Sequence, residues 1–185
     1  MQVDTVVLDR DDMRRTLVRI AHEIVEKNPE GSLALVGIHR RGAILARRLH
    51  ALTGELLDGD IPLGFIDISF YRDDLSIRAS APVVRATQLD FPVEGRTVVI
   101  VDDVLYTGRT VRAAIEALFD FGRPERVQLA TLIDRGHRQL PIKPTFVGKN
   151  IATSTTQRVN VRVLELDDVD EVTLSTASEP RRAAA

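Results

Sequence analysis

The strongest constraint on the fold is an uninterrupted β-branched and apolar run at residues 97–101, which leads directly into two adjacent acids and a glycine turn. Such residues pack well on the surface of a sheet, and a run of this length is too short for a helix. Apolar residues then recur at helical spacing over residues 108–121, until Gly122 and Pro124 end the pattern. The segment predicts a buried strand, a loop at residues 102–107 and a helix.

Other parts of the chain repeat this alternation of strand and helix patterns. The predicted strands lie at residues 33–38, 61–68 and 126–133, and the predicted helices at residues 11–27 and 43–52. Residues 69–82 are polar and have no clear period, which predicts a long loop of the kind that often carries function. This alternation is typical of an α/β fold with a mostly parallel sheet flanked by helices.

The length of 185 residues suits one domain, and we expect a single domain at residues 1–176. The last quarter of the chain contains three prolines and short strand-like pieces, among them residues 145–147 and 159–166. It predicts a small rim subdomain beside the sheet, formed mainly by residues 140–170. Residues 177–185 are predicted to be a disordered tail.

Composition excludes several classes of protein. The chain has no cysteine, which excludes a disulfide framework, a thiolate zinc site and a cysteine nucleophile. Its 25 basic and 27 acidic side chains nearly cancel, so nucleic-acid binding requires a local basic patch. No apolar run approaches the roughly 20 residues that cross a bilayer, and the acidic amino terminus is unlike a secretory signal. We expect a soluble cytoplasmic protein that does not bind membranes.

Two adjacent carboxylates, Asp102 and Asp103, stand where the central predicted strand ends. Open α/β sheets bind ligands at the carboxyl ends of their strands. The turn that follows contains Thr107, Gly108 and Thr110 and leads into a helix, whose first backbone N–H groups attract phosphate. Acids beside such a turn suit a ligand with a phosphate near vicinal hydroxyls or a divalent cation. The alternative is an acidic pair that only caps the helix.

A second polar loop follows the strand predicted at residues 33–38. It contains Arg40, Arg41 and Gly42 and precedes a helix, so it belongs to the same edge of the sheet. Arginines bind phosphate-like anions in a bidentate manner, and positive side chains at a helix N-terminus oppose the helix dipole. An anionic partner is therefore favoured over two solvated arginines.

Residues 98–110 resemble the 5-phosphoribosyl-1-diphosphate (PRPP) motif of type I phosphoribosyltransferases: four apolar residues, two acids, a short spacer and Thr-Gly-x-Thr. The resemblance implies the type I phosphoribosyltransferase fold, with the rim subdomain as its hood. It also implies that Asp102 and Asp103 hold the ribose hydroxyls and organise Mg²⁺, mainly through PRPP and water. The residues implied to bind PRPP or nucleotide are Arg40, Arg41, Gly42, Arg85, Asp102, Asp103, Val104, Leu105, Tyr106, Thr107, Gly108, Arg109 and Thr110.

Four longer segments, at residues 67–76, 102–112, 134–142 and 147–151, resemble the bacterial pyrimidine-operon attenuation regulators of the PyrR family. Members bind the leader RNA of the pyrimidine biosynthetic operon when loaded with a uridine nucleotide, UMP or UTP. Many also convert uracil and PRPP to UMP and diphosphate. The resemblance implies both activities here, and a homodimer or homotetramer. The alternatives are a salvage enzyme that binds no RNA and a regulator with little turnover.

The resemblance implies catalytic roles outside the PRPP motif. The loop with Tyr71 and Arg72 would close over PRPP and exclude water, and Arg41 would stabilise the leaving diphosphate. The uracil pocket is expected at Asp134, Arg135 and Val159.

One position favours a pyrimidine substrate. Purine-salvage relatives commonly carry an acid immediately before the Thr-Gly pair, where it suits proton transfer at the base. This chain has Tyr106 there, and tyrosine is a poor base at neutral pH. The pattern therefore favours uracil, because its reacting nitrogen ionises more readily than the corresponding nitrogen of hypoxanthine and needs less help from a base.

Basic side chains at two places could bind RNA phosphates and loop bases. One group lines the exposed face of the first predicted helix, and the other follows the strand predicted at residues 126–133. The candidates are Arg15, Arg19 and His22 on the helix, and His137, Arg138, Lys143 and Lys149 after the strand. The alternative is a solvated helix face and a charged loop.

Overall fold

The computed structural model describes residues 4–29, 31–57, 60–69 and 87–176, which form eight strands and four helices. In chain order these are β1 (Asp4–Leu8), α1 (Arg10–Lys27), β2 (Leu33–Ile38), α2 (Arg41–Leu57), β3 (Leu63–Ile66), β4 (Thr97–Leu105), α3 (Arg109–Phe119), β5 (Arg126–Asp134), β6 (Phe146–Asn150), β7 (Gln157–Arg162), α4 (Leu164–Asp167) and β8 (Glu171–Thr176). None of the helices in these four ranges has the length and apolar content needed to cross a membrane.

The main sheet has five parallel strands in the order β3-β2-β4-β5-β6. β4 lies at its centre, bonded to β2 on one side and to β5 on the other. α2 connects β2 to β3, and α3 connects β4 to β5, as parallel neighbours require a crossover between them. The predicted α/β fold with a parallel sheet flanked by helices is confirmed.

Helices cover both faces of the main sheet. Strand residues point alternately to the two faces, and in β4 Val99 and Val101 pack in one core with α1 and α2, whereas Val98 and Ile100 pack in the other with α3. The apolar stripe predicted on α1 is buried in the first core: Met13, Leu17, Ile20 and Ile24. With both faces closed, polar side chains gather at the ends of the strands.

A second, antiparallel sheet lies at the rim and is called the rim sheet; it has the order β1-β8-β7. It differs in two ways from the rim subdomain predicted at residues 140–170. β6 belongs to the main sheet, where it pairs with β5, and β1, from the opposite end of the chain, joins the rim sheet. Pairing between distant segments leaves no local pattern in the sequence, so short strands alone did not reveal their partners.

Three of the boundaries that differ from the sequence prediction bear on the site. β4 continues through both acids to Leu105, where a loop is predicted, because β5 offers pairing partners as far as Asp134. α2 begins at Arg41, within the predicted loop. The strand predicted at residues 159–166 ends at Arg162, and residues 164–167 form α4. The two acids are therefore held by the rigid central strand.

An ion cluster fastens the rim sheet to α2. Arg48 donates to Glu165 Oε2 at 2.6 Å and to Asp170 Oδ1 at 2.7 Å. The hydrogen bond from Arg48 lowers the pKa of Glu165 below its ordinary value. Desolvation raises the pKa of Asp170, but the hydrogen bonds from Arg48 and from the backbone of Leu164 outweigh it, and the net shift is downward.

Acid should weaken this attachment. Groups with a lowered folded-state pKa stabilise the protein above their ordinary pKa, and that stabilisation disappears as the pH falls through the lowered values. We expect the free energy of unfolding to fall more steeply below about pH 4.5 in the wild type than in the double variant Glu165→Gln, Asp170→Asn. Urea unfolding between pH 3 and pH 7 measures both curves, with Asp168→Asn as the control for an exposed, uninvolved acid. Parallel wild-type and double-variant curves would contradict the expectation.

Candidate active site

The two acids at the end of β4 have different surroundings. Asp102 is buried, with 5% of its surface exposed, and its Oδ1 accepts the N–H of Asp103 at 3.0 Å. Asp103 is half-buried, its Oδ1 accepts the N–H of Val104 at 3.0 Å, and it lines a cleft of about 520 Å³. These backbone hydrogen bonds fix both carboxylates in place.

This cleft, called the central cleft, lies between the end of β4, the start of α2 and the rim sheet. The predicted site residues that line it are Arg41, Asp103 and Val159. Five further residues line it that the sequence analysis did not single out: Asp4, Asn160, Val161, Arg162 and Asp167. They come from β1, β7 and α4, whose position beside β4 has no local sequence signal.

Gly42 brings the arginine loop against the acidic strand. A Cβ at this position would stand 2.6 Å from the backbone oxygen of Val101 and 3.2 Å from the Cα of Asp102. Only a residue without a side chain allows this approach of α2 to β4. Earlier in the same loop, the peptide bond between His39 and Arg40 is cis. The two loops predicted separately are therefore in direct contact.

Arg41 forms an ion pair with Asp167 of α4, and both residues line the central cleft. Its Nη2 lies 2.8 Å from Asp167 Oδ1 and 3.1 Å from Oδ2. Desolvation raises the pKa of Asp167, but hydrogen bonds from the Val163 N–H and from Arg41 outweigh it and lower the net pKa. Asp167 is therefore ionised at neutral pH. Arg40, the neighbouring candidate, is exposed at the surface.

The glycine turn forms its own pocket of about 260 Å³ at the N-terminus of α3. Gly108 has φ +94°, a left-handed conformation that favours glycine. The carbonyl of Thr107 accepts the N–H groups of Gln139 and Leu140, which hold the turn in shape. Eight of the predicted PRPP-binding residues and one further residue line the pocket: Asp102, Val104, Leu105, Tyr106, Thr107, Gly108, Arg109 and Thr110, together with Val111.

The predicted uracil residues are not all in one place. Val159 lines the central cleft. Arg135 is buried; its guanidinium lies over the Tyr106 ring at 4.2 Å and donates to the carbonyls of Ser154 and Gln157. Asp134 accepts the N–H of Gly136 and the Nη2 of Arg138. The side chains of Asp134 and Arg135 thus hold the loops around Tyr106.

The predicted RNA-binding residues on α1 form one surface with Lys149. Arg15 donates to Asp12 at 2.7 Å, and Arg19 donates to Glu23 and to the carbonyls of Val147 and Gly148 in β6. The pKa of Asp12 is lowered first by its backbone hydrogen bond, then by Arg15, with a smaller effect of Lys149. His22 and Lys149 are exposed. We call Arg15, Arg19, His22 and Lys149 the α1 basic face.

The other basic candidates lie apart from that face. The ring of His137 bonds the Thr153 carbonyl at 2.6 Å and lies 6.0 Å from the Tyr106 ring. Arg138 donates to the carbonyls of Tyr106, Gly136 and Ile142, in addition to Asp134. Its guanidinium therefore braces the glycine turn from inside. Lys143 is exposed on the segment before β6.

Three predicted site residues, Tyr71, Arg72 and Arg85, lie outside the described residues. Their predicted roles in lid closure and ligand contact stay predictions. The predicted tail at residues 177–185 also lies outside them.

Comparison with known proteins identifies the family of the chain. The family model described as a phosphoribosyl transferase domain matches residues 7–167. The bifunctional protein PyrR of Roseiflexus sp. (strain RS-1) is 59% identical over 162 residues, which cover 87% of this chain and 88% of that protein. The bifunctional protein PyrR of Chloroflexus aurantiacus is 55% identical over 175 residues, covering 93% and 95%.

Solved structures share the fold at low sequence identity. A hypoxanthine phosphoribosyltransferase of Trypanosoma cruzi has a TM-score of 0.71 at 16% identity and covers 92% of this chain and 90% of its own. One from Staphylococcus aureus has a TM-score of 0.68 at 22% identity and covers 91% and 90%. These two establish the fold alone. Because the family model spans most of the chain and the PyrR relatives align along nearly their whole length, this chain belongs to the PyrR family of type I phosphoribosyltransferases.

Proposed function

We propose that this protein transfers the phosphoribosyl group of PRPP to uracil, giving UMP and diphosphate, and that it also regulates a pyrimidine biosynthetic operon by binding leader RNA when a uridine nucleotide is bound. The observation that supports the enzymatic half is the meeting of Asp103 and Arg41 in one cleft beside the glycine turn. Family membership supports the pairing of the two activities.

In the reaction, the bond between the anomeric carbon of PRPP and the diphosphate oxygen breaks as the uracil nitrogen, which releases its proton to solvent, bonds to that carbon. The carboxylates of Asp102 and Asp103 hold the ribose hydroxyls, and the turn at residues 106–110 holds the 5′-phosphate with backbone N–H groups. Arg41 neutralises charge on the departing diphosphate. Catalysis therefore rests on positioning and electrostatics, without a covalent nucleophile.

The acidic pair suits Mg²⁺ that arrives with the substrate. Magnesium is usually bound by one or two protein carboxylates together with waters and substrate phosphates. The described part of the chain contains no cluster of three or more His, Cys, Asp or Glu side chains that could hold a metal alone. Asp102 and Asp103 would therefore share the ion with PRPP, and the bound ion would reduce the negative charge of the diphosphate.

The residue at position 106 supports pyrimidine specificity. The Tyr106 ring packs against the Arg135 guanidinium, and tyrosine is a poor base at neutral pH, where proton transfer to a purine would need an acid at this position. Val159 contributes an apolar wall to the central cleft, and backbone groups near Asp134 and Arg135 complete the base-binding side.

A steady-state assay of nucleotide formation tests the enzymatic half. The purified protein with PRPP and Mg²⁺ should form UMP from uracil and should leave hypoxanthine and guanine unreacted. Consumption of a purine base in place of uracil would overturn the pyrimidine assignment. UMP-dependent RNA binding without measurable turnover would instead favour a regulator with little catalysis.

The regulatory half rests on the α1 basic face, and we include the exposed His137 and Lys143 and the half-buried Arg138 as further RNA candidates. A labelled leader RNA of the pyrimidine operon should shift in a gel when UMP or UTP is added. If no nucleotide-dependent shift occurs at moderate salt, the regulatory role is wrong, and the protein is a uracil salvage enzyme that does not bind RNA. We further propose a homodimer or homotetramer, which sedimentation analysis would distinguish from a monomer.

Removing charge from the α1 basic face should weaken RNA binding and leave catalysis intact. For Arg15→Gln with Lys149→Gln we expect affinity to fall about tenfold and the salt dependence to become shallower, because each phosphate contact adds nearly one unit to the slope. Arg112→Gln is the control for loss of charge, since Arg112, like Arg15, is an exposed helical arginine that pairs with an acid of its own helix. Equal losses of RNA binding and UMP formation would indicate misfolding or a different RNA surface.

A further inference from the structure

The residue opposite Arg41, Asp167, has no role in the reaction as described so far, yet it lies inside the central cleft. It is the last residue of α4 and belongs to the rim sheet side of the protein, 126 positions away from Arg41 in the chain. Both of its carboxylate oxygens lie within 3.1 Å of Arg41 Nη2, and Oδ2 also accepts the Val163 N–H at 3.0 Å. The Val163 N–H thus fixes the carboxylate in position independently of its contact with Arg41.

The position and hydrogen bonds of Arg41 indicate how the contact with Asp167 affects its guanidinium. Arg41 is the first residue of α2 and has Gly42 pressed against β4 behind it. Its Nε is buried and has no hydrogen-bond partner within the described ranges. Asp167 holds the Nη2 of Arg41. The Arg41 side chain as a whole is 34% exposed and lines the central cleft. Its positive charge can therefore still attract an anionic oxygen that enters the cleft.

From this geometry we propose that Asp167 is a positioning residue for the diphosphate group of PRPP: it anchors the Arg41 guanidinium at the wall of the central cleft so that the remaining donors bind diphosphate oxygens. This inference rests on the proposed phosphoribosyl transfer and adds to it a residue of the rim sheet side. Without the anchor, a long side chain at a positively polarised helix N-terminus is repelled from the site that it must occupy.

A second arginine on α2 provides the matched control. Arg48 lies seven positions after Arg41, on the same side of the helix, and it too binds α4, through Glu165. Glu165 does not line the central cleft. Glu165→Gln and Asp167→Asn each remove one carboxylate charge from the same short helix, but only the second removes the anchor of Arg41. Asparagine keeps an oxygen that can accept the Val163 N–H.

The test compares ligands that contain diphosphate with one that does not. For Asp167→Asn we expect the KM for PRPP and the inhibition constant of Mg-diphosphate to rise about tenfold, as expected for a lost charge-assisted contact. The KM for uracil and the dissociation constant of UMP, which has no diphosphate, should change less than about twofold. Glu165→Gln should keep the wild-type KM for PRPP and the wild-type inhibition constant of Mg-diphosphate. Asp167→Asn added to Arg41→Gln should cause no further loss of PRPP or diphosphate binding.

The outcomes separate the possible failures. Equal weakening of UMP and PRPP would show a structural role of Asp167 and overturn the inference. Tighter diphosphate binding by Asp167→Asn would also overturn it, because Asp167 would then compete with the ligand for Arg41. If the wild type forms UMP while the variant keeps its KM for PRPP, the inference fails and the proposed function stands. A wild type that binds no PRPP would remove both.

Discussion

Replacing Asp103 with asparagine should reduce kcat/KM for UMP formation at least a hundredfold, on the order of the loss expected when one preorganised electrostatic contact is removed. Asp103 lines the central cleft and is assigned to the ribose and, with Asp102, to Mg²⁺. Asparagine keeps Oδ1, the atom that accepts the Val104 N–H. The fold should therefore survive while the negative charge is lost.

Asp168→Asn is the control for this substitution. Asp168 is exposed, and its left-handed φ of +59° is one that asparagine tolerates. Its variant should keep wild-type kinetics and stability. Steady-state kinetics and thermal unfolding of both variants measure the difference. If Asp103→Asn retains wild-type kcat/KM, the ribose and magnesium assignment of the acidic pair is wrong.

Gly42→Ala should damage both stability and PRPP binding. The added Cβ would meet the Val101 backbone oxygen at 2.6 Å, and a backbone atom in the central strand cannot move aside as a flexible side chain can. Overpacking of this kind costs about 1–3 kcal/mol, which lowers the melting temperature of a chain of this size by about 2–4 °C per kcal/mol. We also expect the KM for PRPP to rise more than about tenfold, because small displacements of catalytic groups have large effects.

Gly31→Ala is the control for Gly42→Ala, because it measures the loss of stability on replacing a glycine where the added Cβ causes no clash. Gly31 has φ +146°, but nothing lies within 4 Å of its added Cβ. This variant should lose stability through its backbone conformation alone and keep the wild-type KM for PRPP. A Gly42→Ala protein with unchanged kinetics would show that contact between the two loops is not needed for PRPP binding.

The sequence predicted well those features that depend on neighbours in the chain. The helical stripe of α1 and the central strand were identified because side chains repeat at 3.6 residues in a helix and a continuous apolar run marks a buried strand. The end of β4 was not identified, because two adjacent acids followed by a glycine turn are typical of a loop. Pairing with β5 overrides that local preference and keeps the backbone of both acids in the strand.

The same distinction applies to the candidate site. The acidic pair, the glycine turn and the arginine loop were each visible as short motifs with a phosphate-binding pattern. Asp167 was not, because its acidic neighbours make it one of several surface-like carboxylates in the sequence. The role of Asp167 depends on its contact with Arg41, which lies 126 positions earlier in the chain.

Local periodicity and local chemistry were enough to predict the alternation of strands and helices in most of the main sheet and the candidate phosphate-binding motifs. The pairing of β1 with β8, the place of β6 in the main sheet and the contact of Arg41 with Asp167 are visible only in the folded chain. These contacts join distant segments, and their partners are selected by burial and pairing of the whole chain, which no short stretch of sequence contains.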